Sequence, residues 1–225
     1  MPPDASIVLR DVTVRYGRLV ALESVTGQFA SGSLTAVVGA NGAGKTTLLA
    51  AIAGTVRLNS GRVIRPLRER LAYLPQLAMI DRDYPVTVGE LIALGAWREF
   101  GALRAPNTAS RALVAEAAAT VGLAARLHRR IDQLSAGELQ RTLFARLILQ
   151  DAQVILLDEP FAPVDAQTTS VLLDQVAQWH EQGRTVIAVS HDLGLVRARF
   201  PETLVLARRC VSWGPTETAL PALAT

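Results

Sequence analysis

Apolar positions along the chain follow two different periods. "SIVLRDVTVRY" (6–16) and "LTAVVG" (34–39) are rich in β-branched residues and bounded by turn formers, which predicts strands. After Gly44 the period lengthens, and Leu48, Leu49, Ile52 and Ala53 share one helical face. "RLAYLP" (70–75) predicts a further strand. From 77 to 150 the pattern is helical, in "TVGELIALGAWREF", "SRALVAEAAATVG" and "GELQRTLFARLILQ". The last of these puts Leu139, Leu143, Leu147 and Ile148 on one face and Arg141 and Gln150 off it. "QVILLD" (153–158) is a continuous apolar run, as expected of a parallel strand buried on both faces. A helix over 166–182 and strands over 185–190 and 203–207 complete the pattern. The expected fold is an α/β sheet with a helical insertion. Residues 1–76 and 151–225 form its core and about 77–150 the insertion, with no internal repeat and no long linker.

Composition narrows the class. Half the residues are apolar and 19% charged, which excludes a disordered chain. The net charge is +3, but the arginines are scattered. Their densest cluster, "RVIRPLRER" (62–70), alternates with apolar residues and reads as solvated surface, so no nucleic-acid partner is expected. One cysteine, Cys210, excludes an internal disulfide and fits a reducing compartment. No basic-then-apolar leader opens the chain, and no apolar run approaches the roughly 20 residues that span a bilayer. A cytosolic chain is expected, with a mean hydropathy of +0.26 that leaves room for an apolar partner contact. His128 and His180 form no metal-ligand spacing with each other or with Cys210 and are expected at the surface, and Trp97, Trp179 and Trp213 are expected to pack.

Lys45 is the single lysine in 225 residues. It stands in "GANGAGKT", which fits G-x-x-x-x-G-K-[ST] between an expected strand and an expected helix. In such a loop Gly39, Ala40, Asn41, Gly42, Ala43 and Gly44 turn successive backbone N–H groups toward phosphate oxygens. The helix start at Lys45, Thr46 and Thr47 adds its positive end. A compact ammonium reaches the phosphates where a wider, planar guanidinium does not fit. The Thr46 hydroxyl is suited to Mg²⁺. A phosphate-binding loop alone leaves kinases, GTPases and many ATPases open.

"LSAGELQR" (134–141) and "ILLDEP" (155–160) decide among them. With Tyr16 in "RYG", Gln76 in "YLPQ" and His191 in "VSHD", they resemble the ATP-binding cassette (ABC) ATPases, specifically the energising subunits of ABC transporters. The resemblance runs from about 7 to 214, with the motifs in the family's order. It implies a P-loop NTPase fold, the ABC-type nucleotide-binding domain with an inserted α-helical subdomain, and hydrolysis of ATP with Mg²⁺. It implies a homodimer with two ATPs at its interface, in which Ser135, Gly137 and Glu138 act on the partner's nucleotide. Asp158 would hold Mg²⁺ through water, Glu159 would activate the attacking water, and Asp165 would link the two sites. Tyr16 would stack on adenine, Gln76 would reach Mg²⁺ and the water, and His191 would contact the γ-phosphate. Ala136 stands where glycine is commonest, Glu138 where glutamine is frequent, and Pro163 where a small residue is usual.

"YLPQLAMIDRDYPVTVGELIALGAWREFG" is similar to the zinc- and manganese-importing group, as are "LDEPFAPVD" and "SHDLGLVRARFPETLVLAR". That likeness implies a zinc importer first and a manganese importer second, held at the cytoplasmic face of the membrane by a separate permease and served by an extracytoplasmic substrate-binding protein. Pro85, Val86, Val88, Leu91, Ile92 and Leu94 would form part of the permease groove. The alternatives are the ATPase of an iron-chelate or haem importer, and a non-transport ABC ATPase.

Overall fold

The continuous apolar runs become the interior of a six-stranded sheet. The computed structural model describes residues 6–66, 70–97, 108–162 and 164–223. Its main sheet has the order β5-β6-β7-β3-β8-β9, where β3 is Leu34–Val38, β5 Leu71–Leu74, β6 Val154–Asp158, β7 Thr185–Val189, β8 Glu202–Ala207 and β9 Arg209–Pro215. The first five of these strands in spatial order run parallel, and β9 closes the edge antiparallel to β8. Every residue of β3, β6 and β7 is buried, as sheet positions covered on both faces require.

A second, antiparallel sheet has the order β2-β1-β4, with β1 Ile7–Tyr16, β2 Leu19–Phe29 and β4 Ser60–Ile64. The β1–β2 register shifts at three places, and Asp11 and Ser24 take left-handed backbone near φ 50° and 49°. Each shift breaks strict alternation, and that is why β2 escapes the sequence pattern. Ile7, Leu9, Leu22 and Phe29 of this sheet pack with Leu48, Leu49 and Ile52 of helix α1 (Lys45–Ala53) and with Leu156, Ile187 and Val189. The Phe29 and Trp213 rings meet at a centroid distance of 4.5 Å. Both sheets and α1 belong to one compact unit, made of 1–75, 153–159 and 178–225.

The second unit is made of 76–152 and 160–177. It contains α2 (Val88–Ala93), α3 (Thr108–Thr120), α4 (Ala136–Gln150) and the first part of α5 (Ala166–Glu181). Leu139, Leu143 and Leu147 of α4 are fully buried, α2 and α3 pack on that helix, and Val88, Leu91, Ile92, Val114 and Ala118 of those two helices are buried. The unit is wider than the 77–150 expected, because Pro160–Ala177 joins it. Gln140 Nε2 donates to Pro160 O at 2.8 Å and Arg141 Nη1 to Thr168 Oγ1 at 3.2 Å, which fastens that stretch to α4. Of the helix expected in 87–100, the described residues show α2 followed by a 3-10 turn at Leu94–Ala96, and residues 98–100 and Pro163 lie outside the described residues. No helix among the described residues is long and apolar enough to cross a membrane.

Two side chains depart from expectation. His180 is half-buried, with Nδ1 2.9 Å from Gly32 O, and Trp97 is 54% exposed rather than packed.

Leu156 is fully buried in the central strand β6. Leu156→Ala should destabilise the fold by about 2–5 kcal/mol through lost contacts and a cavity, read as a lower midpoint in chemical denaturation with an unchanged slope.

Candidate functional site

The turn between β3 and α1 is shaped by what a Cβ cannot do. At Gly39 an added Cβ would run into the Leu206 carbonyl, and at Gly44, with φ 94°, into that of Ala21. The turn is closed by Ala43 N donating to Ala40 O at 3.1 Å and pinned by Arg208 N donating to Ala43 O at 2.8 Å. Lys45 bends back into it: Nζ donates to Gly39 O at 2.9 Å and to Ala40 O at 3.0 Å. The side chain is only 6% exposed, yet its head still lies within the field of Glu159 and Asp158. Burial lowers the lysine's pKa, and the two carboxylates oppose that shift. Thr46 and Thr47 follow, half-buried, and no acidic residue occupies the first turn of α1. The positive helix end is therefore uncompensated, while Ala40, Asn41 and Gly42 are exposed beside it. Loop, helix end and ammonium together form a cradle for an anion. Tyr16 ends β1 with half its surface exposed.

Two carboxylates end β6 in different settings. Asp158 is buried. On the neighbouring strand β5, burial followed by the Asp158 charge pushes the Tyr73 phenol up to about 12. Sequence reading missed Tyr73, since nothing in "RLAYLP" marks one strand position as facing a carboxylate on another. Glu159 takes left-handed backbone at φ 52°, unusual for a residue with a Cβ, and lies half-buried. Its Oε1 is 2.7 Å from Nε2 of His191, which follows β7. The structure thus places Lys45, Asp158, Glu159 and His191 in one unit, with the ammonium in the field of both carboxylates and the imidazole in contact with Glu159. Such a carboxylate beside an imidazole can accept a proton from water.

Gln76, Ser135, Gly137, Glu138 and Asp165 belong to the other unit. Gln76 precedes the 3-10 turn Leu77–Met79, and its carbonyl accepts from Met79 N at 2.9 Å. Ser135 and Glu138 form a capping box at the start of α4. Glu138 N donates to Ser135 Oγ at 3.2 Å, and Ser135 N to Glu138 Oε2 at 3.0 Å. The Ser135 backbone hydrogen bond is the largest influence holding the Glu138 carboxyl below its usual range. A Cβ on Gly137 would lie 3.1 Å from Thr168 Oγ1 and 3.2 Å from Asp165 Oδ2, so the close approach of those groups favours glycine. Asp165 in turn accepts from Thr168 N at 2.8 Å and Thr168 Oγ1 at 2.9 Å. Gln140, Arg126 and Arg129 carried no sequence signal, because their partners lie distant in the chain, whereas Thr168 stands three residues after Asp165 and was overlooked. Of the six residues expected to line a groove, Val88, Leu91 and Ile92 are core, Val86 is half-buried, and Pro85 and Leu94 are exposed.

The described family model "ABC transporter" matches residues 22–162. The chain is 35% identical over 215 residues to the manganese transport system ATP-binding protein MntB of Listeria monocytogenes, covering 93% of this chain and 90% of that protein. It is 36% identical over 220 residues to the zinc transport system ATP-binding protein TroB of Treponema pallidum, covering 95% and 83%. Among solved structures, a nucleotide-free ATP-binding cassette from an ABC transporter superposes with a TM-score of 0.82 at 18% identity, over 97% of this chain and 94% of that one. The dimeric cassette MJ0796 bound to ADP and Pi gives 0.82 at 21%, over 93% and 98%. At those identities the likeness shows the fold.

Ser135→Ala should cost about 1 kcal/mol of stability, since it removes the acceptor that caps α4. The Glu138 carboxyl is depressed in the fold, so its contribution is present above its ordinary value of 4.5 and lost as pH falls through the lower folded value. Denaturation midpoints measured from pH 7 downward should show the gap between parent and Glu138→Gln closing in that acid range.

Proposed function

The chain belongs to the ABC transporter family, and from that premise we propose that it is the ATP-hydrolysing subunit of a metal-ion importer. It works as one cassette, with residues 1–75, 153–159 and 178–225 as catalytic core and 76–152 with 160–177 as the lobe carrying the signature segment. The observation that carries the catalytic reading is the first unit's cluster, where Lys45 in its glycine turn senses Asp158 and Glu159, and His191 meets Glu159. The amides of 39–47 and Lys45 bind the phosphates, and Tyr16 stacks on the base. Thr46, Gln76 and Asp158 supply only oxygen donors, a set suited to Mg²⁺. Bound there, the ion would neutralise charge on the phosphates. Glu159 takes the proton of the attacking water, Gln76 orients that water, and His191 holds Glu159 and contacts the γ-phosphate.

Two copies assemble head to tail, so that Ser135, Gly137 and Glu138 of each close over the nucleotide of the other and Asp165 links the two sites. A separate permease and an extracytoplasmic substrate-binding protein complete the complex at the cytoplasmic face of the inner membrane. Zinc is the first cargo, then manganese. The relatives named for zinc and for manganese transport support the metal class. Exposed Met79, Tyr84, Pro85 and Leu94, close to Gln76 in the chain, are the proposed permease contact.

Glu159→Gln keeps the shape and removes the base, so turnover should fall about 10²–10⁴-fold while ATP is still bound and a dimer accumulates. Hydrolysis within twofold of the parent would remove Glu159 from the reaction. Deleting the gene should lower cellular zinc under chelation, with growth restored by added zinc. Normal zinc content together with failed uptake of haem or an iron chelate would transfer the cargo to that class and leave the ATPase reading intact.

A further inference from the structure

The signature helix α4 opens on a carboxylate, although its proposed task is to approach a polyphosphate on another copy. Glu138 is negatively charged and sits in the helix's first turn, where the positive helix end should meet the anion. An uncompensated carboxylate there would repel the phosphates. The structure surrounds it with cations. Its Oε1 lies 3.6 Å from Arg126 Nε and 3.5 Å from Arg129 Nη1, while its side chain is only 14% exposed. Screening by water is therefore weaker for Glu138 than for an ordinary surface pair.

The segment that carries these arginines is itself held. Arg129 N donates to Arg126 O, Val88 N to Arg129 O and Gly89 N to Leu127 O, each at 2.9 Å, and Ile131 N donates to Val86 O at 3.0 Å. Thr87 and Arg130 form an isolated antiparallel bridge between the same two stretches. The third arginine, Arg130, is engaged elsewhere, with Nη2 2.8 Å from Asp132 Oδ2. Arg126 and Arg129 thus reach Glu138 from a fastened backbone rather than from a free loop.

We propose that Arg126 and Arg129 are positioning residues that neutralise Glu138, so that the start of α4 can close over the γ-phosphate of a second copy's ATP. This rests on the proposed head-to-tail assembly. The contacts, at 3.5 and 3.6 Å, are longer than hydrogen bonds, so the arginines act through charge and lysine should serve in their place.

The test uses the full chain with Glu159→Gln, in which the ATP-bound dimer accumulates, and measures by analytical ultracentrifugation the ATP concentration giving half-maximal dimer. Arg126→Ala with Arg129→Ala should raise that concentration about tenfold, because a charge left uncompensated at a closing interface weakens association. Adding Glu138→Gln should shrink the loss to about threefold or less, since the carboxylate that needed neutralising is gone. Arg126→Lys with Arg129→Lys should stay within about twofold of the parent. Binding of a fluorescent ATP analogue to the monomer should be unchanged by either arginine pair. An equal loss with and without Glu138→Gln would overturn the proposal, as would no loss at all. Failure of the Glu159→Gln chain to dimerise with ATP would instead remove the assembly itself, and this inference with it.

Discussion

A lysine ammonium withdrawn almost wholly from water is the constraint on which the rest of the nucleotide-facing unit depends. Lys45 is 6% exposed and its head is held by two backbone carbonyls of the turn it follows. Burying a cation is unfavourable unless hydrogen bonds and opposite charge compensate it. The Gly39–Gly44 turn supplies the first, and the end of β6 supplies the second through Asp158 and Glu159. For both to converge, β3 and β6 must lie in one sheet with β7 between them, as the strand order places them. The glycines follow from the same demand, since the turn must pass so close to Leu206 and Ala21 that a Cβ cannot be accommodated. One charge therefore explains the loop, the strand order around it and the two acids at the strand end.

What the sequence disclosed follows from how local each signal is. The runs at 34–39, 153–158 and 185–190 were legible because strands covered on both faces are apolar at every position. Strands β2, β4 and β9 were not. The first is interrupted by bulges, β4 is largely exposed, and β9 is an edge strand with exposed positions along it. Ser135 and Glu138 have the spacing of a capping box, a local pattern, and the structure forms it. Tyr73 and Gln140 were not legible, because each matters through a group 20 or more positions away. Trp97 misled for a related reason: ring size predicts packing, but the residue stands where no described neighbour covers it.

The two units treat their charged groups differently, and the difference matches the work proposed for each. In the first, Asp158 and Lys45 are nearly dry, which strengthens every interaction aimed at a bound phosphate. In the second, Glu138 is held by the Ser135 backbone amide and by arginines that remain 40% and 47% exposed. Interactions of that second kind rearrange at modest cost. They suit a surface that must open and close once per cycle, whereas the buried set suits a cradle that keeps its shape.

Glu159 stands at the seam between these regimes. It is the last residue of the segment 153–159 that belongs to the first unit, and Pro160 begins the segment that belongs to the second. Its left-handed backbone is unfavourable for a residue with a Cβ, by a cost of order 1–3 kcal/mol that surrounding contacts must offset. Two contacts are placed to do so. Within the first unit His191 holds the carboxylate at 2.7 Å, and within the second the buried Gln140 side chain holds the carbonyl of Pro160 at 2.8 Å. Gln140 lies two residues beyond Glu138 on α4, so the helix proposed to meet the partner's nucleotide also holds the start of the Pro160–Ala177 stretch within its own unit.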